Sequence, residues 1–273
     1  MASVTLAVSG LAQLVAGVAY LAVARRLLTR DVEGDARLAS RAFVTWWAAL
    51  GAYMLLWGAA SIVAAAGYAP LPLFLALRVV SVPLLMASVA GLTFHVLYLF
   101  TGRRGLFLPV AAFYALCGVA FLAITWVEAP TRVNVAPWLV ELARDGGTPL
   151  LNRLYVVVGV PPIAASLAYG SLFWRVREPM QKYRVALVAG SILLWVGSGL
   201  AARVAAGDFL KFFTLTVLGL AAALAVVLAY YPPPGLRVRL DPLDVDAWSA
   251  RAARRRQAEE KRAQMEERCR ALV

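Results

Sequence analysis

Seven uninterrupted apolar runs decide what this chain can fold into. They lie at about 3–24, 42–67, 73–100, 106–127, 150–174, 185–206 and 209–231. Each reaches the roughly 20 residues that a helix needs to cross a hydrocarbon core about 30 Å thick. A backbone in lipid has no water to bond, so such runs satisfy their own N–H and C=O groups as helices. The expected fold class is therefore an all-α membrane protein: a seven-transmembrane helix bundle over residues 1–231, with a short helical tail at 232–273. Composition agrees, with 62% hydrophobic and only 15% charged residues, where soluble domains run at roughly half apolar and about a quarter charged. The first run ends in Ala22-Val23-Ala24, which looks like a signal-peptidase site. Its first charge, however, is Arg25, after the run rather than before it, and the run is long enough to span, so it reads as a retained helix.

The formal charge of +12 is distributed unevenly. If the N-terminus is outside, the inner segments are RRLLTRDVEGDARLASR, TGRRG, WRVREPMQKYR and everything from Tyr231 onward. They hold five, two, four and ten basic residues. Only Arg78, Arg132, Arg144, Arg153, Arg203 and Lys211 remain for the outer ends. An excess of Lys and Arg in short loops marks the cytoplasmic side, so the expected topology is N-terminus out and C-terminus cytoplasmic. The same charge explains itself as attraction to anionic inner-leaflet headgroups, with no call on nucleic acid. Trp46, Trp47, Trp174, Tyr183, Tyr230 and Tyr231 are expected in an inner aromatic belt, and Tyr68, Trp126, Trp138 and Tyr155 in an outer one.

Lys211, on the seventh run, raises the question of a retinal Schiff base. About twenty apolar residues follow it before Pro232, which puts it near the outer surface, where its stem can snorkel to water. No Asp or Glu occurs from Ala36 to Val127, so helices two to four offer no counter-ion. A pair with Asp208, three residues earlier, is the expected arrangement. His95 is the sole histidine. Cytochrome b-type haem needs two and a zinc site three or four ligands, so no metal and no cofactor is expected, and His95 should hydrogen-bond a neighbouring helix. Cys117 and Cys269 fall in different phases and suggest no disulfide framework. No phosphate loop, paired membrane aspartates or His-rich diiron pattern occurs, so no catalytic residues and no enzyme activity are expected.

Arg78, Arg153, Arg203 and Lys211 are the candidate ligand-binding residues. They lie near the outer ends of helices three, five, six and seven, with Glu128 and Asp208 at similar depth. Convergence would make an outward cationic crevice for an anionic or amphipathic ligand; otherwise each snorkels or pairs with Glu128, Glu141, Asp145 or Asp208. Trp57 and Trp195 lie deep in their helices, as a pocket floor or as core filling. Pro83 and Pro161-Pro162 sit inside helices, where each removes a backbone hydrogen bond. Gly190, Ser191, Gly197, Ser198 and Gly219 are expected to let helices approach closely.

Pro232-Pro233-Pro234-Gly235 ends the bundle. Beyond it a helix is expected from Asp241 as N-cap and Pro242 as first residue, with Arg255/Glu259, Arg256/Glu260 and Arg262/Glu266 as i,i+4 pairs. Residues 237–273 read as a solvated or headgroup-lying helix, or as a handle for a cytoplasmic or membrane protein partner.

Sugar-transporting SWEET proteins share the seven-helix layout as two three-helix repeats with matching prolines, but Pro161-Pro162 has no counterpart in the first helix. Tyr98-Leu99-Phe100-Thr101-Gly102 and Gln181-Lys182-Tyr183-Arg184, entering helices four and six, carry a different likeness. On them, residues 1–231 resemble the seven-transmembrane sensory module found before histidine kinase domains in prokaryotes. The resemblance implies a receptor-like sensor without a catalytic domain, which would signal through a separate partner. An accessory subunit of a larger membrane complex is the alternative, and a small-solute transporter the third reading. Arginine outnumbers lysine twenty-four to three, the usage of a GC-rich prokaryotic genome, so the expected location is a prokaryotic plasma membrane.

Overall fold

A computed structural model describes residues 2–29, 36–136, 139–144, 149–204, 210–211 and 213–236. Among these residues six helices are long and apolar enough to cross a membrane: α1 (Ala2–Leu28), α2 (Ala36–Ala65), α3 (Leu71–Thr101), α4 (Phe107–Val127), α5 (Pro149–Arg175) and α6 (Pro179–Val204). The chain is thus a helical, multi-pass membrane protein. The expected seventh run holds a π-helical turn, Phe213–Leu218, followed by α7 (Gly219–Tyr230). The tail expected over 237–273 lies outside the described residues, as do Asp145, Asp208 and Trp138.

Helices α1, α2, α3, α5, α6 and α7 neighbour one another in a closed ring, while α4 lies chiefly against α3 and α5. Connections are short, so consecutive helices run antiparallel and the bundle has two unlike ends. One carries the α2–α3 and α4–α5 links. The other carries the arginine-rich segments between α1 and α2, α3 and α4, and α5 and α6. The faces invert the soluble pattern. On α1, Val4, Val8, Leu11, Val15 and Val18 repeat every three or four residues and are all exposed, whereas buried Ser9 on the same helix bonds Thr216, Oγ to Oγ1 at 2.9 Å. An exposed apolar stripe of that length belongs against acyl chains.

The core explains the two indoles placed above in the inner belt. Trp46 and Trp47 are fully buried, packed with Tyr20, Phe43, Leu50, Leu92 and Ile192. They face protein rather than headgroups because α2 is covered on two sides, by α1 and by α3, which leaves consecutive positions both enclosed. Tyr68, Trp126 and Trp174 are exposed, as belt residues would be.

Close packing sits elsewhere than the expected α6 and α7 glycines. A Cβ on Gly190, Gly197 or Gly219 would meet nothing within 4 Å, although the Ser191 hydroxyl does donate across to the Ala222 carbonyl at 2.7 Å. The tight seam is α1 on α2. A Cβ on Gly17 would come 2.9 Å from the Gly51 carbonyl oxygen, one on Gly51 would come 2.9 Å from that of Gly17, and Gly10 and Gly58 reciprocate at 2.8 Å. Seven residues, two turns, separate the glycines on each helix, so the two contacts fall on one antiparallel line. Gly51→Ala should therefore cost about 1–3 kcal/mol, as overpacking against an unyielding backbone does. Gly190→Ala should be neutral or slightly stabilising. Thermal unfolding of the two variants in the same detergent compares them directly.

Candidate functional site

The end that carries the α4–α5 link holds an element that the sequence analysis did not anticipate. Residues Arg132–Val135 (β1) and Val140–Ala143 (β2) form an antiparallel hairpin, with Val133 opposite Leu142 and Asn134 opposite Glu141. Val133, Val140 and Leu142 pack onto Leu6, Ala60, Ala64 and Phe74, so the hairpin closes the ends of α1, α2 and α3. Strand alternation turns Glu141 to the other face. The signal was present in the alternating apolar residues of RVNV and VELA, but each run is too short to stand out beside spans of twenty.

Four polar contacts hold this cap. The Glu128 side chain is buried, with 6% of its surface exposed. It accepts from the backbone N–H of Leu150 at 2.9 Å and of Leu151 at 3.3 Å, one oxygen each. These are among the first four N–H groups of α5, which have no partner within the helix, and an anion there also meets the positive end of the helix dipole. Arg144 Nη1 donates to the Val127 carbonyl at 3.2 Å, satisfying the opposite pole at the end of α4. Lys211 Nζ lies 3.7 Å from Glu141 Oε1, both side chains partly exposed. Lys211 thus has a partner on the hairpin, whereas the expected partner Asp208 lies outside the described residues.

The π-helical turn follows directly. The Thr214 hydroxyl lies 3.0 Å from both the Leu210 and the Lys211 carbonyls, and Thr216 holds Ser9 of α1. The hairpin carboxylate is therefore connected through Lys211 to an irregular, polar-stitched turn at the head of α7. Single π turns inside helices recur at functional positions.

The other sequence candidates disperse over several partners. Arg78, half-buried on α3, places its guanidinium 5.3 Å from the centre of the Phe121 ring. Phe121 in turn meets Tyr155 of α5 edge-on at 4.8 Å. Arg153 is exposed on α5, and Arg203 lies in the last turn of α6 with its side chain outside the described residues. Trp57 packs in the cluster beneath the hairpin. Trp195 meets Trp46 edge-on at 5.4 Å in the main core, so the two indoles belong to different clusters.

His95 joins the core toward the arginine-rich end. Its Nδ1 lies 3.0 Å from the Ala39 carbonyl of α2; a carbonyl oxygen only accepts, so Nδ1 carries the proton. The ring stacks on Phe43 at 4.3 Å. At the same end the Tyr231 hydroxyl donates to the Ala22 carbonyl at 3.2 Å, and the Arg26 guanidinium lies 4.4 Å from the Tyr231 ring centre. The exit of α7 is thereby tied to α1.

Glu128→Ala should destabilise the bundle by about 2 kcal/mol, the scale of hydrogen bonds to a charged acceptor. Glu128→Gln, which keeps one acceptor oxygen, should lose less. Unfolding monitored by tryptophan fluorescence in detergent reads both, and wild-type stability in Glu128→Ala would remove the carboxylate from its assigned place. No protein-family model, no curated protein and no solved structure matches this chain.

Proposed function

We propose that this chain is a seven-span, receptor-like protein of a prokaryotic plasma membrane, N-terminus out and C-terminus cytoplasmic, which senses an anionic solute at its hairpin-capped end and passes a shift inward without catalysis. The orientation is supported by the basic residues in the short segments at the opposite end, the bias that marks cytoplasmic loops. A seventh crossing is supported by the apolar length of 209–231, with the π-helical turn as the irregularity that accommodates movement.

The carrying observation is the Glu141–Lys211 pair. It joins a cap that covers three helix ends to the turn that heads α7, and it is a partly exposed electrostatic contact. Such pairs contribute only about 0–1 kcal/mol, so a carboxylate or phosphate solute can replace Glu141 on Lys211. Release of the hairpin would change the restraint on Leu210–Leu218, and α7 would carry that change to its exit at Tyr231. Residues 237–273 then present the output to a cytoplasmic or membrane partner. Arg153 and Arg78, on neighbouring helices at this end, add positive potential that attracts the anion.

Competition makes a signed expectation. In nanodiscs, inorganic phosphate and succinate should raise the melting temperature of the wild type. Glu141→Gln, which removes the internal competitor, should respond at several-fold lower anion concentration, and Lys211→Ala should lose most of the response. Identical responses in all three proteins would overturn the assignment of Lys211. The topology is tested separately by a reporter fused after Val273, expected on the cytoplasmic face; an exterior reporter would reverse the orientation.

A further inference from the structure

Away from the capped end, the bundle has a lateral opening that the receptor reading does not use. Helices α2 and α4 both flank α3 but diverge, leaving a groove of about 460 Å³ along its outer side. Its floor is low because α3 contributes Pro83, Ala87, Ala90 and Gly91, and the α4 wall is low at Ala111 and Ala115. On α4 the lining runs from Phe107 to Leu122. At 1.5 Å per residue this is roughly 22 Å, more than the half-thickness of a hydrocarbon core of about 30 Å. One acyl chain of one leaflet therefore fits within it.

The few polar atoms along the walls already have partners. The Tyr114 hydroxyl is 3.0 Å from Thr93 Oγ1, and the Thr45 hydroxyl donates back to the Arg41 carbonyl at 3.0 Å. A guest in this channel meets a saturated apolar lining and must itself be hydrocarbon.

The arginine-rich mouth supplies the other half of the chemistry. There Ala39 and Ala42 of α2, Phe94 of α3, and Leu106 and Val110 at the start of α4 close into one apolar cluster. Arg41 adjoins Ala42, and Arg103 and Arg104 lie three and two residues before Leu106 in the turn Gly102-Arg103-Arg104-Gly105. All three arginine side chains are exposed. Thr45 lines the groove and Arg41 lies four residues before it, so Arg41 occupies the same helix face one turn nearer the mouth. Helices α2, α3 and α4 contain no Asp or Glu of their own. A long apolar slot thus ends in guanidinium groups borne by two walls, a complement to an amphiphile with one negative head.

We propose that the α2–α3–α4 groove is a binding site for one anionic glycerophospholipid, with an acyl chain along α3 and the phosphate held between Arg41 and the Arg103-Arg104 turn. Guanidinium suits this task because its planar fork donates two hydrogen bonds to one phosphate. The site lies on a different flank from the Lys211 contact, and only the leaflet that supplies the lipid, the inner one, rests on the orientation proposed above. An occupant here would wedge α2 against α4 beside the close contact where a Cβ on Gly91 would meet the Ala42 carbonyl.

The test uses the full chain, purified and delipidated in detergent, with retained lipid counted by native mass spectrometry. Phosphatidylglycerol and phosphatidylcholine with identical chains are offered together, and glycerol 3-phosphate is offered alone. The wild type should retain one phosphatidylglycerol with roughly tenfold or greater preference, the scale that two or three surface arginines supply, and should not retain glycerol 3-phosphate. Arg41→Ala combined with Arg103→Ala should bring the preference to within about twofold. Ala87→Leu with Ala115→Leu, at positions facing open groove, should lose both lipids while melting as the wild type does. Should that pair misfold, Ala115→Leu alone, at an exposed position, should still reduce retention. Equal retention of the two lipids, retention of glycerol 3-phosphate as strong as that of the lipid, or a preference unchanged in the arginine variant would each overturn the site. A misplaced Val273 reporter would change the leaflet and leave this preference intact, so the two proposals fail separately.

Discussion

In a hydrocarbon slab every backbone N–H and C=O must find its partner inside the protein, and this requirement organises the rest of the molecule. It makes each long apolar run a helix and sends irregular backbone to the ends. Hydroxyl groups show the same pressure. Those of Thr45, Ser61, Ser88, Thr125, Ser166 and Ser198 all return to carbonyls three or four residues back on their own helix. Such bonds satisfy the donor without committing the helix to a neighbour. Among the described residues, fewer side-chain hydrogen bonds cross between helices, including Ser9 to Thr216, Thr93 to Tyr114, Ser191 to Ala222, His95 to Ala39 and Tyr183 to Leu228.

Since lipid tails are as apolar as the helix surfaces, burying apolar area gives little reason for helices to associate there, and close packing with specific bonds must do so. The reciprocal glycine contacts of α1 and α2 fill that role on one side of the ring. The Tyr20, Phe43, Trp46, Trp47 and Trp195 rings fill it at the centre, with edge and stacked contacts between about 5 and 6 Å. Helix α4 is held toward its two ends, by Phe107 against Phe94 of α3 and by Phe121 against Tyr155 of α5, touches chiefly α3 and α5, and diverges from α2 to leave the groove.

The two ends differ in kind. At the capped end, charges of both signs meet in pairs or at helix termini: Glu128 with the start of α5, Arg144 with the end of α4, Glu141 with Lys211. At the other end arginine predominates, and aromatic rings cover several of the cations, with Arg26 over Tyr231 and Arg175 over Phe100. The described residues thus make one end a cap of paired charges and the other a rim in which arginines and aromatic rings predominate.

The sequence by itself determined that the chain is built of long apolar helices, and where most of the six described ones begin and end. The run expected at 106–127 is α4 from Phe107 to Val127, and the one at 150–174 is α5 from Pro149 to Arg175, because length and polarity alone decide whether a segment can sit in lipid. It also marked His95, Arg78 and Lys211 as polar groups needing partners. Only the tertiary structure decided what those partners are, and it added the hairpin, the Glu128 clamp and the groove. The reason is physical. Helices apolar all round carry no amphipathic stripe to say which face turns inward, so Trp46 could read as an interfacial ring while being enclosed. Partners such as Lys211 and Glu141 are separated by an intervening pair of helices in the chain, and only packing brings them together.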